Sequence, residues 1–214
     1  AEVGLRVAPV SLQRSAGKAA LLIERFDRQA TKEGWARKAM VSALTLLELD
    51  ELMARYASYE KLATIIRHRF AEPKETLREL FSRIVLNVLC GNTDDHARNH
   101  AAFWNGTGLA LTPAYDICPQ GRTGGEATQA MLIIGEDRSS QIAACLKAAP
   151  TFHLEESDAI KIAAQQIKTI KSLWANICEE ANLSTVDQNL FWRRQFLNPY
   201  AFADAPAAIT RLIQ

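Results

Sequence analysis

Residues 91–119 read GNTDDHARNHAAFWNGTGLALTPAYDICP, and they follow directly on the apolar run IVLNVLC at 84–90. Three acids and two histidines fall within this one span. The run before it belongs to a longer pattern. Leu77, Leu80, Phe81, Ile84, Val85, Val88 and Leu89 recur at helical spacing, which predicts a helix with a wide apolar stripe at the centre of the core. Pro73 suits the first turn of that helix, where its missing N–H costs little, and Gly91 suits its end. The charged residues are therefore expected at the end of the most buried element.

Asp94 and Asn99 form a D-x-x-x-x-N spacing. HAAFW and LALTP then flank NGTG, a hairpin signal, and Asp116 follows at the hairpin's exit. Phosphoryl transfer from ATP uses this set of groups. One carboxylate positions the substrate hydroxyl and takes its proton, an amide oxygen helps hold magnesium, and a second carboxylate bridges metal and phosphates. Protein kinases present them in the same order. Two other readings use the same residues. Asp94 and Asp95 can cap a short helix, which is compatible with catalysis. His96 and His100 are spaced as a metal pair if their segment is helical, although no HExxH or cysteine partner accompanies them.

Upstream, GLRVAPVSL and KAALLIERF are short apolar runs separated by QRSAG, which predicts a β-hairpin. From Trp35 to about Tyr56 the chain carries good helix formers without Gly or Pro and is expected to be helical. Ser58 can cap a second helix carrying Leu62, Ile65, Ile66 and Phe70. Downstream, GRTGGEATQ reads as a loop. Residues 154–181 read as a long amphipathic helix through Ile160, Ile167, Ile170, Trp174 and Ile177, and Ser184 can cap another covering Asn189 to Gln195. Pro199 interrupts the remaining C-terminal segment. The expected fold is mainly α with a small β component, divided into a hairpin at 1–30 and a helical body at 31–214.

The chain has 214 residues, 48% of them hydrophobic and 23% charged, as in an ordinary globular protein. A net charge of +1 excludes a broad field that would gather DNA or anionic lipid. Cys90, Cys118, Cys145 and Cys178 form no CxxC pair, so each is expected as a small apolar side chain in a reducing cytoplasm. No apolar run reaches the ~18 residues of a membrane span, and no signal peptide is expected. The chain opens at Ala1 without a methionine, so a start upstream of it is expected.

NTDDHARNH at 92–100 with LTPAYDI at 111–117 resembles the HipA family, bacterial serine/threonine kinases that act as toxins of toxin–antitoxin pairs. ALLIERFDR resembles that family's hinge, and SALTLLELDE, SYEKLATIIRHR and ELFSRIVLNVL follow its order, from about Ala20 to about Ala181. The resemblance implies a protein-kinase-like C-lobe preceded by a short N-lobe hairpin. It implies Asp94 as catalytic base and Asn99 and Asp116 as magnesium ligands. His96, Ala97 and Arg98 would line the nucleotide phosphates and Tyr115 the adenine pocket. Glu24, Arg25 and Phe26 would be the hinge, holding the adenine edge through backbone groups. ATP and Mg2+ are the implied cofactors. The implied partners are a protein substrate and a helix-turn-helix antitoxin through which DNA is reached indirectly.

The departure from the family lies before the hinge, where members carry a long segment with a phosphate-covering loop and a phosphate-gripping lysine. Lys18 is the sole lysine before Glu24, and it lies beside the hairpin turn. Two lost charge-assisted contacts of roughly 1.5–3 kcal/mol each would weaken nucleotide binding about 100-fold or more. The chain alone is thus expected to be weakly active or inactive. A separate N-lobe polypeptide would complete it, and the alternative is a catalytically inactive remnant or split subunit that binds a partner. Phosphotransfer to a small molecule is a third reading, which the HipA-like flanking residues disfavour.

Overall fold

The computed structural model describes residues 1–121 and 125–214, so the expected GRTGG loop falls partly outside the described residues. Strand β1 (Val10–Ser15) pairs antiparallel with β2 (Lys18–Ile23). Ala16 and Gly17 between them both take positive φ, +51° and +73°, the two-residue turn whose twist matches that of its strands. This is the hairpin expected from QRSAG. All residues of both strands are exposed.

The helix expected from Trp35 to Tyr56 is not formed. A second hairpin, β3 (Arg28–Thr31) and β4 (Gly34–Arg37), occupies its start, and β5 (Met40–Ser42) follows. Only α1 (Ala43–Leu46), capped by the Ser42 side chain, and a 3-10 turn at Ala54–Tyr56 are helical. Two causes are visible. The Thr31 hydroxyl donates to the Gly34 carbonyl at 2.9 Å and accepts from the Glu33 amide at 3.3 Å, which closes a tight turn. Residues 40–42 are taken by β6 (Ala101–Trp104), with Met40 opposite Phe103. Pairing with a distant strand overrides weak local helix propensity.

Helix α2 (Tyr59–Arg69) starts at Ser58, whose side chain accepts from the Glu60 and Lys61 amides. Helix α3 (Pro73–Cys90) has Pro73 in its first turn and Gly91 as a left-handed cap at φ +70°. The seven residues of its stripe are at most 1% exposed, and each contributes about 1.5–3 kcal/mol relative to exposure. Against α3 pack α2, α4 (Ile142–Ala148) and α5 (Glu156–Glu180). The buried face of α5 is Ala159, Ile162, Ala163, Gln166 and Ile167. Of the residues expected there only Ile167 is fully buried, and Ile177 is exposed.

Helix α6 runs over Thr185–Phe191 rather than Asn189–Gln195, because Ser184 accepts from the Asp187 amide and starts it at once. A 3-10 turn begins at Pro199, and α7 (Ala207–Thr210) closes the chain. Cys90, Cys145 and Cys178 are buried as expected, but Cys118 is exposed; it sits in the segment following Asp116. No described helix is long and apolar enough to cross a membrane. The fold is a set of small β-sheets followed by a helical core, as the sequence predicted.

Gly91 tests how tightly the end of α3 is held. A Cβ there would meet the Gln195 carbonyl oxygen at 2.8 Å, and a φ of +70° is one that side-chain-bearing residues rarely adopt. Gly91→Ala is expected to lower stability by about 2–4 kcal/mol, measured by urea denaturation.

Candidate active site

The loop leaving α3 is pinned to it at once. The Asn92 amide donates to the Asn87 carbonyl at 2.9 Å, and the Asn92 side chain donates to Asn87 Oδ1 at 3.0 Å. Asp94 then stands exposed, with no side-chain hydrogen bond among the described residues. Asp95 is 3% exposed. Its Oδ2 accepts from the Tyr59 hydroxyl, from Asn87 Nδ2 at 2.6 Å and from His100 Nε2 at 3.1 Å. Burial pushes the Asp95 carboxyl up, but His100 and the Tyr59 and Asn87 donors outweigh it and hold it below the usual carboxylate range.

Residues Ala97–Asn99 form a 3-10 turn. The Asn99 amide donates to the His96 carbonyl at 2.8 Å, and Asn99 Oδ1 accepts from the His96 amide at 3.3 Å. The chain then enters β6, turns at Asn105–Gly108 and returns as β7 (Leu109–Leu111). Asn105 Oδ1 accepts from the Thr107 and Gly108 amides and closes that turn.

Buried polar groups hold the exit of β7. Arg83, 2% exposed on α3, pairs with Glu79 at 2.9 Å and donates to the Thr112 carbonyl at 2.7 Å. Arg6 donates to the Leu111 carbonyl at 3.1 Å, while the Ala114 amide donates to the Arg6 carbonyl at 2.7 Å. Asp116 follows with left-handed backbone, φ +58°. Asn99 Nδ2 donates to its Oδ2 at 2.5 Å. The hairpin thus brings Asn99 and Asp116 together, with Asp94 at the head of the same loop.

The other expected residues divide into two groups. Glu24, Arg25, Phe26 and Tyr115 line one cavity of about 240 Å³ with Ile23, Asp27 and Met40. The Phe26 ring lies 5.5 Å from that of Tyr115 and 6.1 Å from that of Phe103. Arg25 forms a bidentate pair with Asp27 at 2.6 Å, and its hydrogen bond holds the Asp27 carboxyl down to about 2. His96, Ala97 and Arg98 lie in the loop between Asp94 and Asn99, where the exposed Arg98 pairs with Glu51. Tyr115 joins the groups by donating its hydroxyl to the Arg98 carbonyl. Burial pushes that hydroxyl up to about 12, Arg83 opposing while Asp116 and Asp95 add to the rise. His100 is buried against Asp95 and not displayed beside His96.

Residues the sequence did not single out do much of the holding. Tyr59, Asn87 and Arg83 all lie beneath the site. The available signal was a polar side chain in each apolar stripe: Asn87 and Arg83 within α3, and Tyr59 just after the Ser58 cap.

The groups around Asp116 suit a hard cation. Asp116 offers carboxylate oxygens of the kind Mg2+ prefers. Asn99 turns its Nδ2 to that carboxylate while its Oδ1 accepts from the His96 amide, so a turn of the Asn99 amide would bring a second oxygen donor to the same point. The cavity beside Phe26 and Tyr115 has apolar and aromatic walls that fit a flat base.

Arg83→Met would leave Glu79 and the Thr112 carbonyl without their buried donor, and is expected to cost about 3–5 kcal/mol in denaturant unfolding. The lowered Asp95 carboxyl sets a pH dependence with a definite sign. Its contribution is complete above the unfolded carboxylate value near 4 and is lost as pH falls through the lower folded value. A plot of Tm against pH should therefore drop on acidification below about pH 4. Asp95→Asn, lower throughout, should drop less steeply there.

Comparison with known proteins agrees with the fold. The model of the HipA-like C-terminal domain matches residues 1–174. HipA of Shewanella oneidensis MR-1, solved with HipB and operator DNA, superposes on 99% of this chain and 52% of its own at 18% identity, TM-score 0.75. The Helicobacter pylori proinflammatory kinase CtkA superposes on 99% of this chain and 82% of its own at 15% identity, TM-score 0.61. At these identities the two structures establish the fold alone. A Sinorhizobium fredii protein named "Putative kinase Y4mE" is 25% identical over 122 residues, 55% of this chain and 29% of the relative. The chain therefore spans less than a third of that relative and about half of the Shewanella protein. With its family model covering most of its length, the chain belongs to the HipA-like C-terminal domain family.

Proposed function

We propose that this chain is the catalytic lobe of a HipA-like serine/threonine protein kinase. The observation that carries the reading is the 2.5 Å contact between Asn99 and Asp116, made across a hairpin, with the exposed Asp94 on the same loop. Asp94 takes the proton of the attacking serine or threonine hydroxyl, for which its unengaged, solvent-facing carboxylate is suited. Asn99 and Asp116 hold Mg2+. His96, Ala97 and Arg98 face the phosphates, and the Glu24–Phe26 segment with Tyr115 receives the adenine. Mg·ATP supplies the phosphoryl group and the divalent charge that neutralises it. The division into a hinge hairpin at 1–30 and a lobe at 31–214 belongs to this reading. So does a cytoplasmic location, which suits the four free thiols.

The likeness to a HipA solved in complex with HipB and its operator DNA supports a helix-turn-helix antitoxin as partner. DNA would be contacted through that partner, in keeping with the near-neutral charge of +1. One observation favours the second reading, a subunit that works by binding another polypeptide. Val10, Leu12, Leu21, Leu22 and Ile23 on β1 and β2 are 40–59% exposed, an apolar surface that a separate N-lobe would cover.

Calorimetric titration with Mg·ATP tests the first reading. The chain is expected to bind, and Asp116→Ala to weaken binding about tenfold or more, while Asp94→Ala binds normally. Equal affinity in the chain and Asp116→Ala would sink the metal assignment. Partner capture that survives both substitutions, with no nucleotide binding by any variant, would select the second reading.

A further inference from the structure

Two adjacent carboxylates, Asp94 and Asp95, stand at the head of the loop, and spacing alone does not say why the first is the one displayed. We infer that Asp95 is a positioning residue which, by locking its own carboxylate inside, presents Asp94 to solvent and holds Asn99 against Asp116. The inference rests on the reading of Asp94, Asn99 and Asp116 as the phosphotransfer set.

The backbone supplies the first part of the argument. His96, at the entry to the 3-10 turn, is extended, with φ −101° and ψ 169°. Successive side chains of extended backbone point to opposite sides. Asp94 is exposed, Asp95 is 3% exposed, and Ala97 is again buried at 2%. The burial alternates along the segment, with Asp95 and Ala97 turned inward and Asp94 outward.

The second part is the number and origin of the donors. One oxygen of Asp95 accepts from three elements: Tyr59 on α2, Asn87 on α3, and His100 at the entry to β6. Asn87 also accepts from Asn92 through its other side-chain atom, Oδ1. The loop is thus fastened to α3 at its start, directly through Asp95, and near its end through His100. Asn99 is the residue before His100, so fixing that imidazole fixes the point from which Asn99 reaches Asp116. The Tyr59 and His100 rings also meet edge to face, 5.6 Å between centroids. A network that served only to glue the core would not need to meet at a single atom of the loop.

The test compares Asp95→Asn and Tyr59→Phe with Ile66→Ala, in the 214-residue chain. The control loosens a fully buried contact of α2 without touching the network. Mn2+ affinity in the presence of ATP is measured by electron paramagnetic resonance, at a temperature where circular dichroism shows every variant folded. Amide hydrogen exchange of residues 92–100 is followed alongside. Asp95→Asn is expected to weaken Mn2+ binding about 10–100-fold, the usual scale for a residue that orients metal ligands. It should also speed exchange in 92–100 while α3 keeps its protection. Tyr59→Phe should move both readouts the same way by less, and it carries the test alone if Asp95→Asn does not fold. Ile66→Ala should move neither. Wild-type Mn2+ affinity and loop protection in Asp95→Asn would overturn the inference, as would equal losses in Ile66→Ala. If the unsubstituted chain binds no Mn2+, the phosphotransfer reading fails. Hydrogen exchange then decides alone whether Asp95 fixes the loop.

Discussion

The candidate site depends on the burial of the last turns of α3. Every helix ends with carbonyls that have lost their helical donors. In α3 the next residues take two of them, Asn87 O the Asn92 amide and Val88 O the Gly91 amide, and the C-terminal segment takes a third, Leu89 O accepting from Leu197. Val85, Val88 and Leu89 are wholly buried, so that terminus has little freedom to shift. A polar loop that starts from such a point inherits its position. This is why so much charge directly follows so apolar a run.

The two buried charges near the site, Arg83 and Asp95, are poorly explained as sources of stability. Apolar side chains of similar volume often serve a core as well as a buried ion pair does. What apolar side chains lack is direction. Arg83 places one N–H on the Thr112 carbonyl and another on Glu79, which ties the exit of β7 to α3. Asp95 does the corresponding work for the loop before β6. The hairpin that carries Asn99 and Asp116 is therefore referenced at both ends to one helix. Both references bear on where Asn99 meets Asp116.

Features of the fold governed by local physics were legible in the sequence. Pro73, Gly91, Ser58 and Ser184 mark helix ends through interactions within a turn of themselves, and the stripe of α3 is periodic over its whole length. The region from Trp35 to Tyr56 reads as helical by propensity, but β4 folds back on β3 through a turn closed by the Thr31 hydroxyl, and β5 pairs with a strand that no local pattern announces. β5 in particular exists only because β6 arrives beside it, far later in the chain. In the site, Asp94, Asn99 and Asp116 stood out because their spacing has a chemical meaning. Asp95 was visible only as a possible cap, since its donors come from α2, α3 and β6 and converge only in three dimensions. Arg83 looked like an ordinary polar interruption of an apolar stripe.

The site is stiff on one side and soft on the other. The groups that would place charge hang from the buried core. The pocket that would grip a flat base has one wall at the end of the exposed β2, where Glu24 is tied back by its amide to the Pro9 carbonyl at 3.0 Å. Tyr115 belongs to both sides. Its ring meets Phe26, its hydroxyl holds the Arg98 carbonyl, and its backbone leads directly to Asp116. A displacement large enough to move Phe26 must press on a ring whose hydroxyl is bonded to the Arg98 carbonyl. The cavity wall at Phe26 and the Arg98 backbone are thereby joined through one side chain. That link needs no conformational change in α3, because Tyr115 lies on the hairpin's exit rather than on the helix that carries it.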